Sequence, residues 1–240
     1  MAELAESLGV SRNSVFRITS TLHAKGYLVR DERTKRFTLG RVLLRLGYAA
    51  VGAGNLVERC LDLMRELRDT TRESTFLGVL AGADGVVLEQ LPGLHPVKFL
   101  VDVGTRFPLN TSAPAKAMMA ALPEAEREAI VAQMPFAPFN NFTITTREAY
   151  RAELAIARAR GYAVDHAEEI EGVHCVGAAV LDHRDRPVAG VWVTGPANRM
   201  PAERFDEMGH TVAAYALSMS RRFGHVPESA EARTRREDGR

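Results

Sequence analysis

Three groups of residues in this 240-residue chain have types and spacings that can do chemistry. The first is Asn13, Arg17 and Ser20, with Arg12 and Ser14 just ahead. On a helix turning about 100° per residue, Asn13, Arg17, Ser20 and Ala24 share one side, with Phe16 at its edge. Val15, Ile18 and Leu22 share the other side. The first side is slim, rich in hydrogen-bonding groups and positive. Such a side fits a DNA major groove, about 12 Å wide, where Arg forks onto guanine and Asn onto adenine. Arg12, at the helix start, suits a phosphate.

The second group is spread over Thr111-Ser112, Asp165 and the pair Trp192/Thr194. Thr111-Ser112 opens a helix whose free N–H groups can receive a carboxylate, although every helix needs such caps. Asp165 leads an acidic run, where it is either a ligand acceptor or a solvated charge. Trp192 and Thr194 share one strand face by period two. The indole there either packs in a core or bounds a cavity for an aromatic or small planar acid.

The third group is His174-Cys175. A thiol is most reactive where a His lowers its pKa. Neighbours on a strand point to opposite faces, however, so this pair cannot easily meet. Cys175 therefore reads as a small apolar wall. A metal site from Asp165, His166, His174 and Cys175 matches no standard zinc spacing. No catalytic residue, metal or cofactor is expected.

The elements that must position these groups follow from local signals. Leu4, Ala5 and Leu8 give a short helix an apolar side, Gly9-Val10 breaks it, and Ser11 caps a second helix that ends at Gly26. Residues 27–30 and 36–39 have strand composition around the polar turn 31–35, which makes a basic hairpin, or wing. Val42, Leu43, Leu46, Ala49 and Ala50 repeat at helical spacing, and Gly52-Ala53-Gly54 loosens the chain, so 40–55 reads as a linker helix and hinge. A helix follows over 56–71, with Leu56, Leu63, Met64 and Leu67 inward. Strands are expected at 74–81, 85–91, 97–101, 162–165, 173–181 and 188–194. Helices are expected at 115–122, 123–133, 147–160 and 201–223. The polar tail 224–240 has the composition of a disordered segment.

Charge separates the two ends of the chain. Residues 1–48 hold nine Lys/Arg against four Asp/Glu, while the whole chain is only +1. A basic head on an acidic body suits phosphate binding by the head alone. The two cysteines, Cys60 and Cys175, support neither a disulfide framework nor a metal cluster, which fits a reducing cytoplasm. No apolar run approaches a membrane span, so no membrane partner is expected.

The segments LAESLGVSRNSVFRITSTLHAKGYL, RFTLGRVLLRLG, PLNTSAPAKAMMAAL, RGYAVDHAEEIEGVHCVGAAVLD and VAGVWVTGPANRM occur here in that order. By them the chain resembles the IclR-type transcriptional regulators, up to about residue 223. The resemblance implies an α+β chain: a winged helix–turn–helix domain over 1–39, with a truncated first helix, and a GAF-like antiparallel-sheet effector domain over 56–223. It implies a double-stranded DNA operator, a small organic acid effector and a homodimer or homotetramer. DNA contacts would come from the helix of Arg12, Asn13, Ser14, Phe16, Arg17 and Ser20. The effector site would fall on Phe107, Ala113, Pro114, Asp165, Val173, Cys175, Trp192 and Thr194. The family has a further helix ahead of Leu4, so either the reading frame starts upstream or the head is thinly covered. Trp192 and Ala113-Pro114 depart from the small or Gly-containing residues common in relatives, which reshapes the pocket. Two other functions remain open on the residues alone. One is a GAF-like thiol enzyme using Cys175, and the other is a metabolite sensor that does not bind DNA.

Overall fold

The computed structural model describes residues 2–43, 46 and 56–227. The chain divides into two compact units, 1–56 and 57–240. In the first unit, α1 (Ala2–Leu8) and α2 (Arg12–Ala24) precede a hairpin of β1 (Leu28–Arg30) and β2 (Phe37–Leu39). Gly9, at φ 63°, takes the turn that a Cβ would resist. Ser11 is extended, and its hydroxyl accepts the Ser14 N–H at 3.1 Å, which satisfies one orphan donor of α2. The hairpin pairs Leu28 with Leu39 and Arg30 with Phe37. Its turn is held by Asp31, whose carboxylate accepts the N–H groups of Arg33 and Thr34 at 2.9 and 2.7 Å.

One inward position of α2 differs from the helical-wheel expectation. Val15 is buried, but Ile18 is 52% exposed and Thr19 lies inside instead. Thr19 tolerates this because its hydroxyl donates to the Val15 carbonyl at 2.8 Å, so no polar group is stranded. Leu22 is half-buried. Within the expected linker, Val42, Leu43 and Leu46 are helical, whereas 44–45 and 47–55 lie outside the described residues.

In the second unit, strands β3 (Ser74–Ala81), β4 (Asp84–Leu91), β5 (Arg106–Pro108), β6 (Ala163–His166), β7 (Val173–Leu181) and β8 (Pro187–Pro196) form one sheet in the order β5-β4-β3-β8-β7-β6. All its pairs are antiparallel. The helices are α3 (Leu56–Thr71), α4 (Ala113–Ala121), α5 (Glu124–Val131), α6 (Arg147–Arg160) and α7 (Phe205–Arg222). In α3, Leu56, Leu63, Met64 and Leu67 are buried, as their spacing predicts. Thr146 caps α6 through the Ala149 N–H, and Gly161 closes it at φ 80°.

Helix α7 crosses one face of β7, and α4 crosses the other. The contact with α4 is made possible by two glycines. A Cβ at Gly177 would lie 2.8 Å from the Pro114 nitrogen, and one at Gly190 3.0 Å from the Pro114 Cβ. Backbone therefore packs on backbone, and all of α4 but Ala121 is buried, between the sheet and α6.

The strand expected over 97–101 is absent. Val97 and Leu100 are exposed, and the free side of β4 is taken by β5 instead, with Gly85 facing Phe107. Val101 is hydrogen-bonded to β4 through its N–H, which donates to the Gln90 side chain at 3.0 Å, and its side chain packs on Val87. One side-chain bond replaces a ladder, so the segment stays irregular. Strand β8 runs two residues past its expected end, since Pro196 still lies opposite Val173. Of the expected tail, Gly224 makes an isolated bridge to Asp182, and 228–240 lie outside the described residues.

Candidate functional site

Between the sheet, the start of α4 and the loop ahead of β5 lies a cavity of about 210 Å³. Sheet register puts Asp165 opposite Cys175, and Cys175 opposite Thr194, so one row carries all three across β6, β7 and β8. A second row on the same face brings Phe76 opposite Trp192. The Trp192 indole stacks on Phe76, with ring centres 5.3 Å apart and planes at 15°, and Phe107 meets it edge-on at 5.4 Å. Ala113 and Pro114, at the start of α4, and Val173, at the start of β7, complete the set. All eight residues named for the effector thus line one cavity: Phe107, Ala113, Pro114, Asp165, Val173, Cys175, Trp192 and Thr194.

The polar end of the cavity is acidic. Asp165 is a buried strand residue rather than a solvated loop charge, and one of its oxygens accepts the Glu168 N–H at 2.8 Å. Burial pushes its carboxyl up to about 6, although the Glu168 N–H and the Lys116 charge pull the other way. Lys116, in α4, is 0% exposed and donates to Glu168 at 2.5 Å. Burial outweighs that ion pair and lifts Glu168 to about 7. The other oxygen of Glu168 is buried with no hydrogen-bond partner among the described residues. Glu169 reaches the cavity wall, accepts the Thr111 hydroxyl at 3.3 Å, and is also raised by burial.

Cys175 does not meet His174. Its thiol lies 3.3 Å from the Thr194 hydroxyl on the cavity side, whereas His174 bonds the Met200 carbonyl at 2.7 Å and packs on Phe205 behind the sheet. Burial, reinforced by Asp165, pushes the thiol well above its ordinary value. A nucleophilic thiolate is therefore disfavoured. His166 shares the His174 face, at 4.7 Å between rings, so these histidines cannot converge on a metal with Asp165 and Cys175.

In the first unit, Arg12, Asn13, Phe16, Arg17 and Ser20 are exposed along α2, and Ser14 is half-buried beside Ser11. Neither Arg12 nor Arg17 has an ion-pair partner among the described residues. Both guanidinium groups are therefore open to an external acceptor. Beside α2 and the hairpin, Arg30 and Lys35 line a shallow hollow with Phe16, Ser20 and His23.

Two descriptions of known families match the chain: the IclR helix-turn-helix domain over residues 1–32, and the C-terminal region of the bacterial transcriptional regulator IclR over residues 48–221. The chain belongs to the IclR family. It is 31% identical over 227 residues to the regulator BhcR of Paracoccus denitrificans, covering 95% of this chain and 81% of that one. It is 27% identical to the regulator XynR of Escherichia coli, over 94% of this chain and 89% of that one. Among solved structures, IclR of Thermotoga maritima is similar at a TM-score of 0.73 and 28% identity, covering 93% of this chain and 90% of that one. An IclR-type regulator from Silicibacter shares the fold at a TM-score of 0.80 and 23% identity. These relatives are transcriptional regulators, not enzymes, and some, such as AllR of Escherichia coli, are named repressors. This IclR-family chain is accordingly a DNA-binding transcriptional regulator with a C-terminal effector domain. No helix among its described residues is long and apolar enough to cross a membrane.

Several cavity residues escape sequence reasoning. Phe76 enters through its register with Trp192, and Phe99, Val101 and Thr105 through an irregular loop. Neither placement has a local signal. Glu169 and Ile170 lie inside the acidic run that Asp165 leads, so that run is in part a cavity wall rather than a surface loop.

Proposed function

We propose that residues 1–39 of this regulator form the DNA-binding domain, 40–55 a linker helix and 56–223 the effector domain, acting as a homodimer or homotetramer in the cytoplasm. Arg12, Asn13, Ser14, Phe16, Arg17 and Ser20 present the reading face to a double-stranded operator. The effector is a small organic acid, held by Phe107, Ala113, Pro114, Asp165, Val173, Cys175, Trp192 and Thr194.

One observation carries the sensing half of this reading. Eight residues scattered from 107 to 194 converge on a single preformed cavity with an aromatic wall and a polar end. Sites for small molecules have that make-up, mostly apolar with a few placed polar groups. The acid's carboxylate belongs at the start of α4, where the helix presents its positive end. Ligand shifts the balance between subunit arrangements only by its differential affinity for them, and operator affinity changes to the same extent.

The test is fluorescence anisotropy with a duplex selected from a random-sequence pool. A regulator of this kind loses affinity steeply as salt rises, because bound phosphates release counterions. Weak, salt-insensitive binding would instead favour a sensor whose head only associates.

A further inference from the structure

The charges around the cavity do not balance. Two carboxyls, Asp165 and Glu169, line its polar end, while the one nearby ammonium, Lys116, is already paired with Glu168 outside the lining. Arg106, the other cation at the cavity, is paired with Asp84 at 3.0 Å. Donors facing an incoming anion are also scarce. The hydroxyl of Thr194 and the thiol of Cys175 are bonded to each other at 3.3 Å. In the first turn of α4, the Ala115 N–H is taken by the Ser112 hydroxyl and the Lys116 N–H by the Ser112 carbonyl. Pro114 has no N–H, which leaves that of Ala113. Acceptors, by contrast, are plentiful: a carboxylate has about four lone-pair sites, of which Asp165 uses two, for the Glu168 N–H and the Cys175 thiol, and Glu169 one, for the Thr111 hydroxyl.

We propose that the effector is a single-ring aromatic compound that presents hydroxyl or ammonium donors to Asp165 and Glu169. Any carboxylate it carries lies at the far side, toward Ala113. This rests on the ligand-sensing reading and narrows it to a ligand class. Size sets the single ring: an apolar cavity of about 150 Å³ holds a benzene, and this one measures about 210 Å³. That leaves room for a ring and a short polar substituent. The wall sets the aromaticity, because Trp192, Phe76 and Phe107, packed on one another, all line the cavity. Polarity sets the donors. An anion brought to this end would meet like charge, while an ammonium or hydroxyl fills vacant acceptors. Burial already raises Asp165 and Glu169, so a donor that favours their ionised forms draws protons off them on binding.

Trp192 is the only tryptophan, so quenching of intrinsic fluorescence in the full chain reports occupancy directly. The probes are phenol, benzylamine and benzoate, one ring with three different polar ends. Phenol and benzylamine are expected to bind at least about tenfold more tightly than benzoate. In the Asp165→Asn, Glu169→Gln double variant that preference should shrink to less than about threefold. Should the double variant fail to melt cooperatively, Glu169→Gln alone serves, because Glu169 is only partly buried. The proposal is overturned if benzoate binds as tightly as the other two, if the preference survives in the variant, or if no probe quenches Trp192 up to about 10 mM. Operator binding is followed in the same samples. Its persistence alongside a failed ligand series overturns the ligand class alone, while its absence overturns the regulator reading.

Discussion

Replacing Lys116 by Met should lower stability by an amount that grows with pH, and the slope follows from the partner left behind. Lys116 is fully buried and bonded to Glu168 at 2.5 Å. Glu168 already stands near 7 in the folded chain, above its ordinary 4.5, so the native state holds an extra proton between those values. Stability from this group is complete below about 4.5 and is lost as pH rises through about 7. Without Lys116 the carboxyl moves higher still, and that losing window extends upward. At pH 6 Glu168 is mostly protonated in both proteins, so the variant loses a charge-assisted hydrogen bond, about 2 kcal/mol. Above pH 7 the deficit should widen by about 1.4 kcal/mol per pH unit. By pH 9 it should approach the roughly 3–5 kcal/mol typical of breaking a buried ion pair from one side. Urea unfolding at pH 6, 7.5 and 9 measures this. The double variant Lys116→Met, Glu168→Leu should return the pH dependence toward wild type, because no carboxyl remains to be stranded. An equal deficit at pH 6 and pH 9 would refute the reasoning.

Three shorter predictions follow. Arg17→Ala should relax operator sequence preference by about 1–3 kcal/mol if its exposed guanidinium reads a base, whereas Arg12→Ala should weaken all duplexes alike; competition anisotropy separates the two. Gly177→Ala should destabilise the chain by about 1–3 kcal/mol in thermal or urea unfolding, since its Cβ meets Pro114 backbone rather than a yielding side-chain tip. Neither cysteine should react readily with iodoacetamide at pH 8 in the native state: burial pushes Cys60 up to about 12 and Cys175 well above 9.0, so rapid alkylation of either would contradict the placement of that thiol.

Elements with punctuation were legible in the sequence. Ser11, Thr146 and Ser112 cap where cap chemistry predicts, and Gly9, Gly26 and Gly161 take positive φ where helices end. What depended on neighbours was not legible. Whether 97–101 or 106–108 takes the free side of β4 is settled by Phe107 lying over Gly85, a long-range fit with no local signature. Thr19 displaced Ile18 from the inner face because a backbone carbonyl was available to its hydroxyl, which a wheel cannot show. At the cavity, the opposite facing of His174 and Cys175 came from strand alternation alone, whereas the eight residues that line it together were named through family resemblance. The buried status of Asp165, in an acidic run, and of Lys116, alone in an apolar helix, was invisible, since charged residues ordinarily read as wet surface.

The loop bearing Phe99 has a consequence for traffic into the cavity. At one root the Gly93 N–H is tied to the Ser74 hydroxyl, and Arg199 clasps both buried Glu73 and the Val97 carbonyl. At the other root, Gly104 and Thr105 exchange backbone bonds with Val87. Between those moorings the span is held by the Gln90 amide and by Val101, which packs on Phe76, Val87 and Trp192. A visitor entering on this side would therefore have to undo the Gln90 latch and lift Val101 off its aromatic neighbours, without prying the sheet apart.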